Sequence, residues 1–368
     1  MIPFALLLAV TFAAPQTLPQ RAPTANPAAL ALGDFNGDGR RDIAVGYAKG
    51  SSTLIGNTNI GVPGAKNTAR DVSPLAVAVG AASVALGDLD GDGVDDWCFT
   101  NPAFKQIQVI GGGSSRLSFN RELPQRPLSV RVADIDGDGK LDLIVGYATS
   151  SVSVIRNLGG GSFASTVDVS LGGGAALAIS DVSADGALDL IAGAVLGPRV
   201  YAANGSGAAT FTPPHVIAEL PESASSFVEG LSAKAIGLAI AIRDGALGKS
   251  RLYVLRNGEF GATALPLQES GGHLHAMFAD VDRDGTDDLV VADSAAGVVT
   301  IYGGNSDRTW PIIGTIQLRT ATVGAMVAGD VSGDGVADLV VASSDGSVDV
   351  YVNTTPEPPR PRRRTVVH

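Results

Sequence analysis

Six nine-residue stretches carry oxygen-bearing side chains at alternate positions, a spacing that lets one short loop turn several oxygens toward a single hard cation. The first reads Asp34-Phe-Asn-Gly-Asp-Gly-Arg-Arg-Asp, and the others begin at Asp88, Asp134, Asp181, Asp280 and Asp330. With the opening aspartate as position 1, side-chain oxygens fall at positions 1, 3, 5 and 9. These are Asp34, Asn36, Asp38 and Asp42; Asp88, Asp90, Asp92 and Asp96; and Asp134, Asp136, Asp138 and Asp142 in the first three copies. The other three supply Asp181, Ser183, Asp185 and Asp189; Asp280, Asp282, Asp284 and Asp288; and Asp330, Ser332, Asp334 and Asp338. The backbone carbonyl of position 7 adds a further candidate ligand, from Arg40, Val94, Lys140, Ala187, Thr286 and Val336. Such oxygen sets suit calcium, and up to six ions are expected. Position 6 is glycine in every copy, as a sharp turn through a left-handed backbone requires. A helix–loop–helix calcium site is excluded, because position 12 is Val45, Phe99 or Val145 within an apolar run instead of a glutamate.

Charge supports bound cations. The chain has 37 acidic and 26 basic residues, and 21 of the acidic ones are the aspartates at positions 1, 3, 5 and 9 of these loops, so the remainder is net +10. Three or four carboxylates packed together repel one another unless a divalent ion neutralises them. The loops at Asp88, Asp134 and Asp280 hold four carboxylates each and should bind most tightly. At Asp181 and Asp330 a serine replaces the position-3 carboxylate, so binding should be weaker there, and an Asp/Gly turn that only caps a hairpin is the alternative.

The elements that carry these loops repeat with them. The loop starts are 54, 46, 47, 99 and 50 residues apart, and the doubled interval calls for a seventh unit near residue 229 whose nonapeptide is lost. Residues 229–237 lack the later acidic positions, with Leu231, Ala233 and Gly237 at positions 3, 5 and 9, and only Glu229 remains as a ligand. This unit is expected to fold without an ion. Each loop follows an alternating run (Ser83-Val-Ala-Leu, Ser129-Val-Arg-Val) and precedes a β-branched one (Asp142-Leu-Ile-Val, Asp338-Leu-Val-Val), and a third and a weaker fourth run complete the unit. Four strands per unit, seven units and no helical periodicity predict an all-β, seven-bladed β-propeller with antiparallel blades.

The nonapeptides between short strands at this period resemble the FG-GAP/VCBS repeats, whose members include the propeller of integrin alpha chains. The resemblance spans nearly the whole chain after the N-terminal segment. It implies calcium-binding hairpin loops between the first and second strands of each blade. The last unit lacks a fourth strand, while Thr17-Leu-Pro-Gln-Arg-Ala echoes Glu122-Leu-Pro-Gln-Arg-Pro, so residues near 16–23 are expected to complete the last blade.

Other features limit the function. A net charge of -11 opposes nucleic-acid binding. The single cysteine, Cys98, excludes an internal disulfide. His273 and His275 lie two apart but have no third ligand nearby in sequence, no GxSxG elbow is present, and Trp97 occupies a core strand position. Residues 1–14 form an apolar run ending in small residues and read as a secretory signal, although no Lys or Arg precedes it, which leaves an uncleaved anchor as the alternative. No later run reaches membrane-spanning length. The propeller is assigned to residues 16–353, and residues 354–368 read as an unfolded Pro- and Arg-rich tail.

The expectation is therefore a secreted, cell-surface or periplasmic calcium-binding propeller. It would act as a monomeric, non-catalytic binding or adhesion module for an extracellular protein or glycan. A lectin-type propeller and a propeller-based polysaccharide lyase are the alternatives.

Overall fold

The computed structural model describes residues 10–18, 27–47, 53–57, 60, 70–71, 83–147, 149–194, 197–222, 226–234, 237–244, 246–255, 266–304, 309–320 and 322–357. Residues 1–9 of the apolar run, 19–23 of the expected closing segment and 358–368 of the tail lie outside them.

The apolar second strands set the architecture. Asp42–Tyr47, Asp96–Asn101, Asp142–Tyr147, Asp189–Ala194, Asp288–Asp293 and Asp338–Ser343 are buried at every position. A strand covered on both faces reads as an unbroken apolar run, because successive side chains enter opposite layers. Ile43 and Val45 enter one layer and Ala44 the other.

Seven four-stranded antiparallel sheets result, as predicted. Their first strands are Pro27–Gly33, Val84–Gly87, Pro127–Ala133, Gly173–Ser180, Ser226–Lys234, Leu274–Ala279 and Val323–Gly329, and these number the blades. In blades 1 to 6 the four strands follow chain order. A two-stranded hairpin, Asn157–Gly159 with Ser162–Phe163, sits in the third connection of blade 3.

The core lies in the seams between blades. Seven apolar clusters each join two neighbours, and one of them joins Ile43, Val45 and Tyr47 of blade 1 to Val340, Val348 and Val350 of blade 7. The ring is closed. Its closure uses the N-terminal residues: Gln16–Leu18 pairs with Val348–Tyr351 as the outer strand of blade 7, with Thr17 opposite Asp349. The pairing continues to Phe12 opposite Asn353, and Thr354 N–H donates to Thr11 O at 2.8 Å. Leu18 and Leu123, the matched leucines of the echoed segments, are both buried.

Blade 5 corrects one detail. Residues 229–234 belong to the first strand, which has a register shift between Val228 and Gly230 and pairs with the second up to Lys234 opposite Gly237. Gly237 does hold the place of position 9, but residues 229–236 are not a degenerate loop. The eight residues that precede position 9 in the other blades are replaced by two, 235–236, which lie outside the described residues.

Candidate functional site

The six loops connect the first and second strands of blades 1 to 4, 6 and 7, all at one end of the ring. Each is anchored by the side chain of position 2. Phe35, Leu89, Ile135, Val281 and Val331 are buried in the seam clusters, and Val182 is partly so. Both glycine-type turns have left-handed backbones: position 6 has φ between 82 and 90° in all six loops, and position 4 is also positive. The second requirement is not apparent from the repeat alone, because Ala184 (φ 60°) and Arg283 (φ 67°) occupy position 4 in two copies.

The three kinds of carboxylate do different things. Position 1 folds the loop around itself: Asp34 accepts the N–H groups of Gly37, Asp38 and Gly39 at 2.8, 3.1 and 2.7 Å. Position 5 is turned to the backbone of position 7, as in Asp92 with Val94 N–H at 2.9 Å and Asp284 with Thr286 N–H at 2.7 Å. Position 9 is fully buried in every loop and clamps the blade. In blade 3 one Asp142 oxygen accepts Ile135 N–H (3.1 Å) and the other accepts Asn157 N–H at the end of the third strand (2.7 Å). The same pair of bonds recurs at Asp42, Asp96, Asp189, Asp288 and Asp338.

Positions 1, 3 and 9 converge in three loops. Asp88, Asp90 and Asp96, then Asp134, Asp136 and Asp142, then Asp280, Asp282 and Asp288 each offer oxygens within 4.8 Å of one another. These are the loops with four carboxylates, and position 5 stands outside each group. In blade 1 the position-3 residue is an amide, and Asn36 Nδ2 donates to Asp42 at 3.2 Å. In blades 4 and 7 Ser183 and Ser332 hydroxyls lie 3.4 and 3.5 Å from the position-1 carboxylates.

Burial dominates the electrostatics. Desolvation raises Asp42, Asp96 and Asp142 to about 6 and Asp288 to about 7, and the neighbouring carboxylates push in the same direction. An all-oxygen group of desolvated, mutually repelling carboxylates has the donor chemistry of a hard divalent cation site. Blade 3 also carries its own counter-charges, with Lys140 2.6 Å from Asp138 and Arg156 3.4 Å from Asp136.

Three asparagines at the end of third strands were not singled out by the sequence. Asn57, Asn157 and Asn353 each donate from Nδ2 to the position-8 carbonyl of their own loop at 3.0–3.1 Å. Each also donates to the position-2 carbonyl of the preceding blade: Val331 (2.6 Å), Leu89 (2.8 Å) and Val281 (2.8 Å). Blade 2 reaches the same target by backbone, Gly113 N–H to Phe35 O at 2.7 Å, and a Cβ on Gly112 would lie 2.3 Å from Asp95 O. The recurring signal is an asparagine fifteen residues after position 9, although Asn204, at that spacing in blade 4, makes neither bond and Gly205 N–H reaches Asp189 instead.

The features set aside in the sequence stay outside any site. Trp97 is buried against Phe99, with ring centres 5.3 Å apart. Among the described residues neither His273 nor His275 joins a group able to hold a metal.

Comparisons agree with this geometry. A BBS1N structure, in complex with ARL6DN and soaked with lead, superposes with a TM-score of 0.66 at 13% identity, covering 95% of this chain and 99% of that one. The WD40 domain of Neurospora crassa Pan2 gives 0.61 at 11% identity over 95% and 96%. Identities this low speak for the fold alone. The KICSTOR complex protein ITFG2 of Bos taurus is 27% identical over 152 residues, which are 35% of this chain and about a quarter, 26%, of that protein. The FG-GAP-like repeat model matches residues 34–99, 134–192 and 280–341, which take in all six loops, pass over blade 5 and amount to about half of the chain. The chain belongs to the FG-GAP-like repeat family.

Proposed function

We propose that this chain is an exported, calcium-stabilised propeller that serves as a non-catalytic binding module for a protein partner. The convergence of three carboxylates within 4.8 Å in each of three loops carries the calcium reading. Asp88, Asp90 and Asp96 and their counterparts would hold the ion through oxygen ligands, and the ion would relieve their repulsion and desolvation. One comparison favours a protein partner: ITFG2 is described as a complex protein. Export rests on the apolar run at residues 1–14. Cleavage after Ala13 would leave the Gln16–Leu18 strand and remove the contacts of Val10 and Phe12.

Thermal melts with calcium or with EDTA test the ion. At a hundredfold excess over Kd each site should add about 2.7 kcal/mol, so the melting temperature should rise by many degrees. Asp136→Ala should remove one ion from the calorimetric stoichiometry, while Ser332→Ala should leave the tight sites intact. Superimposable melts in calcium and EDTA would refute the reading.

A further inference from the structure

The central channel contains a cation that the loops do not use. A cavity of about 410 Å³ is lined by the first strands of blades 3 to 7, a size in the range that holds small ligands. Val132, Ile179, Leu188 and Met277, all partly exposed, line it together with polar backbone, and among the described lining residues only Arg131 is charged. At the same register in the other blades stand Ala31, Ala85, Ala178, Ser232, Met277 and Val327.

Arg131 is exposed to the channel yet enclosed by the ring. Enclosure lowers its pKa, and no neighbouring charge opposes that shift. Of its five N–H donors, one is given to the adjacent carbonyl, Nη1 to Val130 O at 2.9 Å. No carboxylate among the described residues lies within ion-pair distance. Asp134, three residues on, is engaged with Asp138 and Gly139 N–H at 3.0 and 2.9 Å. A guanidinium enclosed by the ring with no carboxylate partner among the described residues is costly to desolvate, and an entering anion would offset that cost.

We infer that the channel binds the C-terminal carboxylate of a partner polypeptide ending in aliphatic residues, with Arg131 as its bidentate partner. One guanidinium fork matches one carboxylate in geometry and in charge. A phosphate dianion would leave one negative charge unbalanced beside a single guanidinium. The adaptable Met277 and the partly exposed Val132 and Ile179 suit an aliphatic residue beside the carboxylate. This site depends on the binding-module reading only in that a partner chain brings the carboxylate. The calcium melts and the channel measurement can each fail alone.

The test is ligand-observed saturation-transfer NMR on the intact chain, with N-acetyl-leucyl-valine as probe and its C-terminal amide as control. Transfer to the acid and at least a fivefold smaller signal for the amide are expected. Arg131→Gln should lose the acid's signal at an unchanged melting temperature, and Arg131→Lys should keep part of it. Equal signals from acid and amide would overturn the proposal, as would binding that survives in Arg131→Gln. Displacement of the probe by equimolar inorganic phosphate would assign the channel to phosphate and also overturn it. The comparison of acid with amide needs no variant, so it stands even if a substitution at Arg131 prevents folding.

Discussion

At the scale of single residues, position 9 is the carboxylate that the fold cannot lose. Asp142 satisfies two buried N–H groups, and each would cost about 1–3 kcal/mol if left without an acceptor, so Asp142→Ala should destabilise by about 3 kcal/mol even in EDTA. Asp138→Ala, at an exposed position beside Lys140, should cost clearly less under the same conditions. Urea melts of the two variants distinguish these roles, and equal midpoints would show that position 9 is no clamp. Acidity gives a second prediction. Asp42, Asp96 and Asp142 rise from 3.8 to about 6 on folding, so the folded state binds protons more tightly than the unfolded state. Their favourable contribution is complete below pH 4 and is lost as pH rises through 6. In EDTA the melting temperature should therefore climb as pH falls from 7.5 toward 5. With saturating calcium it should not, because protons and cation compete for the same oxygens. Parallel slopes in the two series would contradict this.

At the scale of elements, the loop is a joint between blades as well as a turn within one. Asn157 bonds to its own loop and to Leu89 O of blade 2, so Asn157→Ala should expose two buried carbonyls to loss of their donors and cost about 2 kcal/mol. Hydrogen exchange should show the penalty on both sides of the seam, in blades 2 and 3; exchange confined to blade 3 would argue against the bridge. The loops were legible because cation ligation and tight turns demand particular residue types at fixed spacing. The asparagines were harder to read, since in blade 2 backbone does the same work, as Gly113 does beside Phe35. The missing loop of blade 5 was legible only as a doubled interval. Spacing shows that a unit is present, but it does not tell a mutated loop from a shortened one, and the register of Lys234 with Gly237 settles that. Arg131 gave no signal as a ligand-binding residue, because the ring that isolates it is assembled from strands far apart in sequence.

At the scale of the whole molecule, seven seams hold the ring, and one of them is completed by the first described residues. The strand Gln16–Leu18 and the strand Val348–Tyr351 run antiparallel at the edge of blade 7, and both chains leave from the same end of that pair, Thr11 beside Thr354. Pulling the two ends apart would therefore load these hydrogen bonds one after another, as a zipper is opened, instead of shearing them together. With the uncleaved chain in an optical trap, the first event should come at low force and free the segment from Val10 to Pro27, about 17 residues at roughly 3.5 Å each, or about 60 Å of extension, while six blades remain folded. A single cooperative rupture without that early step would show that the edge is as strong as the ring. A clasp built this way yields first to tension along the one line that joins its own two ends.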